Sequence, residues 1–280
     1  MLKKKWKKWR KRIRDLSLAM AAGRRWTSVV LPDLAPASPM RYLCVATVIK
    51  NEAAHLLEWL EFHRRLGVEH FVLYDNGSTD DSRAVCQPYI DAGSVTWIPW
   101  ANFSVWFNQQ RGAYAHAIAN FGPGSVWMGF FDIDEFMFPV TARSLTEVLR
   151  EREHLPVLAV AGINFGTGGH QSPPDQGVVE SYRRGVPMAR QHRHKELLNT
   201  KCFVQPYRIE SVVSAHWFRI KNDDALGYTE HGQPIYGPPS KQGSLLTADV
   251  IRYNHYFTRS RAEFEQKCRG TDVRGPQPHW

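Results

Sequence analysis

The chain has 280 residues, 43% of them hydrophobic and 22% charged, and its 36 Lys and Arg against 27 Asp and Glu give a formal net charge of +9. Nine of those cations (Lys3, Lys4, Lys5, Lys7, Lys8, Arg10, Lys11, Arg12, Arg14) lie in the first 14 residues with no acid among them, so the other 266 residues are formally neutral. The pI near 9.5 therefore describes a basic arm, and a nucleic-acid-binding domain with a global positive field is excluded. No run of about 18 apolar residues predicts a spanning helix. Cys44, Cys86, Cys202 and Cys268 are widely separated with no Cys-x-x-Cys pair, which excludes a zinc or disulfide framework and predicts reduced thiols in a cytosol.

In the arm, Leu2, Trp6, Trp9, Ile13, Leu16 and Met20 recur at steps of four and three, placing them on one helical face with Lys and Arg over the rest. This predicts a basic amphipathic helix over 1–25 that lies on an anionic membrane surface through residues 1–20, and a cytoplasmic enzyme peripheral at the inner face of the membrane. Pro32, Pro36 and Pro39 mark a linker over 26–40, and a single catalytic domain is predicted over 41–280, long enough for a buried core.

Residues 42–49 are a near-continuous apolar run of the kind a buried parallel strand carries. Leu56, Leu57, Leu60, Phe62 and Leu66 follow at roughly helical spacing, Gly67 gives a stop, and residues 71–74 resume as a strand. In such a βαβ unit ligands gather at the carboxyl ends of the strands, which here carry Asn51 and Glu52 and then Asp75, Asn76 and Gly77. Further elements are predicted as a strand over 95–100, helices over 108–120 and 144–153, a strand over 157–165 and a late apolar run over 250–256. The alternation gives the fold class as α/β, with a mostly parallel central sheet flanked by helices. Residues 166–248 lack a steady period and suit an acceptor-binding region with mobile loops.

Residues 127–138 read WMGFFDIDEFMF, with Asp132, Asp134 and Glu135 inside an otherwise apolar stretch, an expensive placement unless the carboxylates have work to do. In an extended strand Asp132 and Asp134 face one side while Ile133 turns to the core and Glu135 points away. Two hard oxygen ligands on one face suit Mn²⁺ or Mg²⁺, whose remaining positions are commonly filled by water and substrate phosphates.

The motifs together resemble a nucleotide-sugar glycosyltransferase of the GT-A type, close to family 2 and closer to family 92. The resemblance rests on Lys50-Asn51-Glu52, the Asp75 to Asp80 turn, Gln110 with Ala113-Tyr114, the Asp132-Ile133-Asp134-Glu135 run, Phe165-Gly166 with Gly169-His170, and Asn254-His255-Tyr256 followed by Ser260, Phe264, Lys267 and Gly270. It implies a GT-A-like, Rossmann-like domain. It also implies Asn51, Glu52, Asp75, Asn76, Gly77, Gln110 and Asp132 at the donor nucleotide, and Asp132 and Asp134 at a divalent ion, with His255 or His216 as a further ligand. The reaction so implied is inverting transfer from a nucleotide sugar, a UDP-sugar above all; the basic arm, by holding the enzyme near lipid-linked acceptors, adds the expectation of a glycan or lipid-linked acceptor as in surface-polysaccharide biosynthesis. A carboxylate serves as base, with Glu135 beside the metal motif and Asp223, Asp224 and Glu230 in the acceptor region as candidates. Lys195, Lys201 and Arg193 are candidates for the diphosphate, His170, Lys201 and Trp217 for the acceptor region, and Trp97, Trp100, Trp106 and Trp217 for stacking on sugars. Two other classes accommodate part of the pattern: a metal-dependent phosphohydrolase or nuclease using Asp132, Asp134 and Glu135, and a non-catalytic membrane-associated binding module.

Overall fold

A computed structural model describes residues 28–35, 40–100 and 109–268. The basic segment read over 1–25, Trp106 and Gly270 lie outside the described residues. The first half alternates as β1 (Val29–Val30), β2 (Arg41–Ile49), α1 (Ala53–Arg65), β3 (His70–Asp75), α2 (Ser82–Asp91), β4 (Val95–Pro99), α3 (Gln109–Phe121), β5 (Ser125–Phe130) and β6 (Glu135–Pro139). There follow α4 (Leu145–Arg150), β7 (Val157–Asn164), α5 (Val178–Ser181), α6 (Met188–Arg193), β8 (Thr200–Val204), β9 (Ile209–Ser214) and β10 (Trp217–Ile220). The chain continues through β11 (Gly227–Tyr228), β12 (Pro234–Ile235), α7 (Pro239–Gln242), β13 (Ile251–His255) and α8 (Arg261–Gln266).

The predicted α/β class is borne out as a ten-stranded sheet with helices on both faces. Its parallel half is β4-β3-β2-β5, and β8 then runs antiparallel to both β5 and β7. Strand β13 joins parallel to β7 and antiparallel to β6. The apolar run of β2 has its explanation here. Leu43, Val45 and Ile49 pack with Leu56, Trp59 and Leu60 of α1, whereas Cys44, Ala46 and Val48 pack with Ala113 and Ala117 of α3 on the other face. Val29–Val30, read as linker, instead pairs with β9 in a separate three-stranded sheet, and Leu31 is buried beside it. A strand of two residues carries no legible period.

Helix α1 buries Leu56, Trp59, Leu60 and His63, the i, i+3, i+4, i+7 stripe of an amphipathic helix. Two of these side chains also cover the edge of β6 that β13 leaves open. Trp59 Nε1 donates to the Glu135 carbonyl at 2.9 Å, and the Met137 N–H donates to His63 Nε2 at 3.0 Å. His63 Nδ1 lies 2.8 Å from the Trp59 carbonyl, so the ring is neutral with its proton on Nδ1. Burial pushes the imidazole down from 6.5 to about 3, opposed by the bond to the Trp59 carbonyl. A depressed histidine favours the fold in its neutral form, so its contribution is complete above the unfolded value of 6.5 and is lost as pH falls from there towards 3. The wild type should lose up to about 1.4 kcal/mol per pH unit from this group on acidification. Urea unfolding between pH 7 and 5 checks this, because His63→Gln should start less stable but show a flatter pH dependence.

Candidate active site

The site begins with two loops that fasten each other at the carboxyl ends of β2 and β3. The Asn51 N–H donates to Ser78 Oγ at 2.9 Å, the Glu52 N–H to Ser82 Oγ at 2.9 Å and the Ala53 N–H to Asp80 Oδ2 at 3.0 Å. In return the Thr79 N–H donates to Asn51 Oδ1 at 2.8 Å. The exposed amides that open α1 are thus capped from the next loop rather than by Glu52, whose side chain makes no cap bond. Asp75 accepts from the Ser78 N–H three residues on at 2.9 Å, closing a turn in which Gly77 takes φ +74. Asn51 itself sits at φ 54, a conformation asparagine tolerates better than most side chains. Asp80→Ala should cost about 1–2 kcal/mol, the usual loss of a helix cap, read as a lower urea midpoint with an unchanged slope.

The carboxylate run does not lie in one strand, which corrects the expectation that Asp132 and Asp134 share a strand face. Strand β5 ends at Phe130, and a turn closed by the Glu135 N–H to the Asp132 carbonyl at 3.0 Å carries the chain into β6. The turn sends the two aspartates apart. Asp132 accepts from Gln110 Nε2 at 2.7 Å and from Lys201 Nζ at 2.7 Å, and its N–H donates to Glu135 Oε2 at 2.9 Å. Asp134 instead faces Lys267 Nζ at 2.6 Å and His255 Nε2 at 3.6 Å. Asp134, Glu135 and His255 bring one ligand atom each within 4.8 Å of one another. Asp132 is not in that group.

His255 is held for such a role. Its Nδ1 lies 3.3 Å from Asn164 Oδ1, and the Asn164 amide is turned that way because its Nδ2 donates to the Leu197 carbonyl at 2.8 Å. Nδ1 is thereby tied to Asn164, and Nε2 is the nitrogen that faces Asp134. Burial alone would raise the Asp134 carboxyl and lower the His255 imidazole. Lys267 and His255 together hold Asp134 well below the carboxylate range, while Asp134 and Glu135 carry His255 above its usual value. Burial likewise pushes Glu52 up to about 7, opposed by Arg259, whose Nη2 lies 3.6 Å from Glu52 Oε2, and reinforced by Asp134. Arg259 takes φ 45, so a strained residue carries this cation to the site.

The structure separates several other predicted residues from this centre. His216 lies across the sheet. On β8, Thr200 and Cys202 face one side and Lys201 the other, and His216 Nδ1 is 2.8 Å from the Thr200 carbonyl. His216 and Trp217 line a small cavity there with Cys202 and Leu226. Lys201, read as an acceptor or diphosphate contact, is buried at 2% side-chain exposure, bridging Asp132 and, at 3.1 Å, Glu135. His170 packs edge-on against Tyr182. Among the carboxylates considered as bases, Glu230 accepts from the N–H groups of Asp249, Val250 and Ile251 at 2.8–2.9 Å and so fixes the entry to β13. Asp223 is bonded to the Ala225 N–H and the Tyr228 hydroxyl. Trp100 packs against Tyr74 and His116, and Trp97 lies under Arg83. Lys267 and Arg259 received no role from the sequence, although Lys267 stood in the late motif.

Residues 41–237 match the family model described as Glycosyltransferase family 92. A family 92 protein of Oryza sativa subsp. japonica is 30% identical over 221 residues, which cover 74% of this chain and 36% of the relative. The galactan beta-1,4-galactosyltransferase GALS2 of Arabidopsis thaliana is 31% identical over 98 residues, covering 33% of this chain and 19% of that protein. Among solved structures, S. aureus TarS 1–349 in complex with UDP overlaps with a TM-score of 0.38 at 13% identity, over 59% of this chain and 47% of that one. The chain spans about a third of the length of the family 92 relatives it matches.

Proposed function

The chain belongs to glycosyltransferase family 92, and from that premise we propose that it moves a sugar from a nucleotide-sugar donor, a UDP-sugar above all, to a hydroxyl of a glycan or lipid-linked acceptor. The observation that carries this reading is the meeting of Asp134, Glu135 and His255 at the carboxyl end of the sheet, next to the paired loops of Asn51 and Asp75.

The residues fit a divalent ion such as Mn²⁺ or Mg²⁺. Asp134 offers a charged oxygen and His255 an oriented nitrogen 3.6 Å from it, a donor set that leaves room for water and phosphate oxygens. When bound, the ion supplies positive charge against the diphosphate as the glycosidic bond breaks. Asp134 and His255 hold it, and Glu52, Asp75 and the loop around Gly77 face the nucleotide. The acceptor oxygen attacks the anomeric carbon, its proton passes to a carboxylate and the diphosphate leaves, with inversion. Glu135 is a poor candidate for that carboxylate, because it is 2% exposed and bonded to Lys201 and the Asp132 N–H. Its role in this reading is to fix the turn that aims Asp134. The phosphohydrolase alternative needs Asp132 and Asp134 around shared metals, and the turn directs Asp132 to Lys201 and Gln110 instead.

Attachment to an anionic membrane through the basic residues 3–14 belongs to the same proposal, since it would hold the enzyme beside lipid-linked acceptors. Co-sedimentation with anionic vesicles tests it: equal pelleting of the full chain and of one lacking residues 1–25 removes the idea. The donor reading is tested by melting temperature across a panel of nucleotide sugars with and without Mn²⁺. A rise from one sugar nucleotide that requires the metal is expected, and no shift from any nucleotide overturns it.

A further inference from the structure

The carboxylate that the proposed metal needs is already occupied by a cation. Lys267 Nζ lies 2.6 Å from Asp134 Oδ2, the same oxygen that lies 3.6 Å from His255 Nε2. A divalent ion bound by that oxygen and that nitrogen would stand at about 2.0–2.2 Å from each. It would crowd and repel an ammonium kept on the same oxygen. The Lys267 side chain is 26% exposed, against 2% for Lys201, so it has room to move where Lys201 has none. From that same position it keeps other partners. Its Nζ lies 4.2 Å from the centre of the Phe257 ring and 3.4 Å from the Phe257 carbonyl, two contacts that suit a cation without any carboxylate.

We propose that Lys267 is the resident counter-ion of Asp134, which the incoming divalent cation must displace, so that ammonium and metal hold one carboxylate oxygen in turn. The proposal rests on the metal-site reading above and deepens it. Without metal, Lys267 keeps a largely buried aspartate neutralised and the turn in place; with metal, the ammonium gives up the carboxylate and is left with the Phe257 ring and carbonyl it already touches. The exchange weakens affinity for the bare ion, so metal is held firmly only when the donor's phosphates add their own ligands. Lys267 is a positioning residue in this account.

Calorimetric titration of the full chain with Mn²⁺ alone tests it in the wild type, Lys267→Met, Lys267→Arg and Asp134→Asn. Lys267→Met should bind Mn²⁺ about tenfold more tightly, Lys267→Arg should bind close to wild type, and Asp134→Asn should lose binding. A general loss of positive charge would also tighten binding, so melting temperatures distinguish the two. Exchange requires Lys267→Met to melt below the wild type without metal and level with it at saturating Mn²⁺. An equal deficit in both conditions, or Mn²⁺ affinity unchanged from the wild type, overturns the proposal. Should Lys267→Met fail to fold, lysine side-chain NMR of the wild type titrated with Mg²⁺ decides. The Lys267 signal, assigned through Lys267→Arg, must shift, and a signal indifferent to saturating Mg²⁺ overturns the exchange. Equal Mn²⁺ binding by the wild type and Asp134→Asn would instead sink the metal-site reading itself.

Discussion

Asp134→Asn is expected to lower sugar transfer by about a hundred- to a thousandfold, the scale of removing one preorganised electrostatic contact to a developing charge. The substitution keeps the shape of the side chain and the backbone bond in which the Tyr256 N–H donates to the Asp134 carbonyl at 2.8 Å. What it removes is the negative charge on which Lys267 and His255 converge. Without it the His255 imidazole loses the partner that raises it most, and a divalent ion loses the charged oxygen that faces His255 Nε2 at 3.6 Å. The metal-dependent melting shift with a sugar nucleotide should vanish together with turnover, while the variant remains folded. Asp132→Asn makes the contrast: its oxygens face Gln110 and Lys201, so it should lose stability yet keep a metal-dependent shift. If Asp134→Asn retained the shift and Asp132→Asn abolished it, the assignment of the two aspartates would be reversed.

That contrast marks the boundary of what the sequence discloses. The βαβ unit over β2, α1 and β3 is legible because its periods are local: an apolar run, a stripe at i, i+3, i+4, i+7 and a second run. The paired loops are legible as turn chemistry, although not the reason that Asp80 and Ser82 are needed, which is to cap the preceding helix. The carboxylate run announces a site but not its geometry, since a turn at 132–135 and a continuous strand share the same letters. Partners that meet across long separations leave no pattern at all. Trp59 and His63, absent from the apolar stripe read over 56–66, are buried on α1 and also bond the free edge of β6. Lys201 lies in a stretch without period, 69 residues from Asp132, and β8 places it between β5 and β7 where its ammonium can reach two buried carboxylates. The choice between His255 and His216 likewise depends on which face of the sheet each one reaches.

The second large effect is expected at that lysine. Lys201→Met should destabilise the fold by about 3–5 kcal/mol, because removing one partner of a buried ion cluster leaves charge without compensation. The cluster limits the loss in a predictable way. Burial already pushes the Glu135 carboxyl upward while Lys201 and His255 pull against it, so without Lys201 it rises further and takes up a proton. Asp132, whose side chain is 30% exposed, keeps Gln110. The loss therefore belongs near the lower end, a fall in melting temperature of roughly 6–12 °C for about 3 kcal/mol. The sign of its pH dependence follows. A carboxylate raised in the fold contributes fully below its unfolded value of 4.5 and loses that contribution as pH climbs through the folded value. The gap between wild type and Lys201→Met should accordingly narrow as pH falls from 8 towards 5. Adding Glu135→Gln should recover part of the loss at pH 8 and little at pH 5, since the glutamine replaces an acid that is by then protonated. Should Lys201→Met instead melt with the wild type while transfer collapses, Lys201 would be a contact to substrate, and the buried bridge between Asp132 and Glu135 would not be what holds the turn.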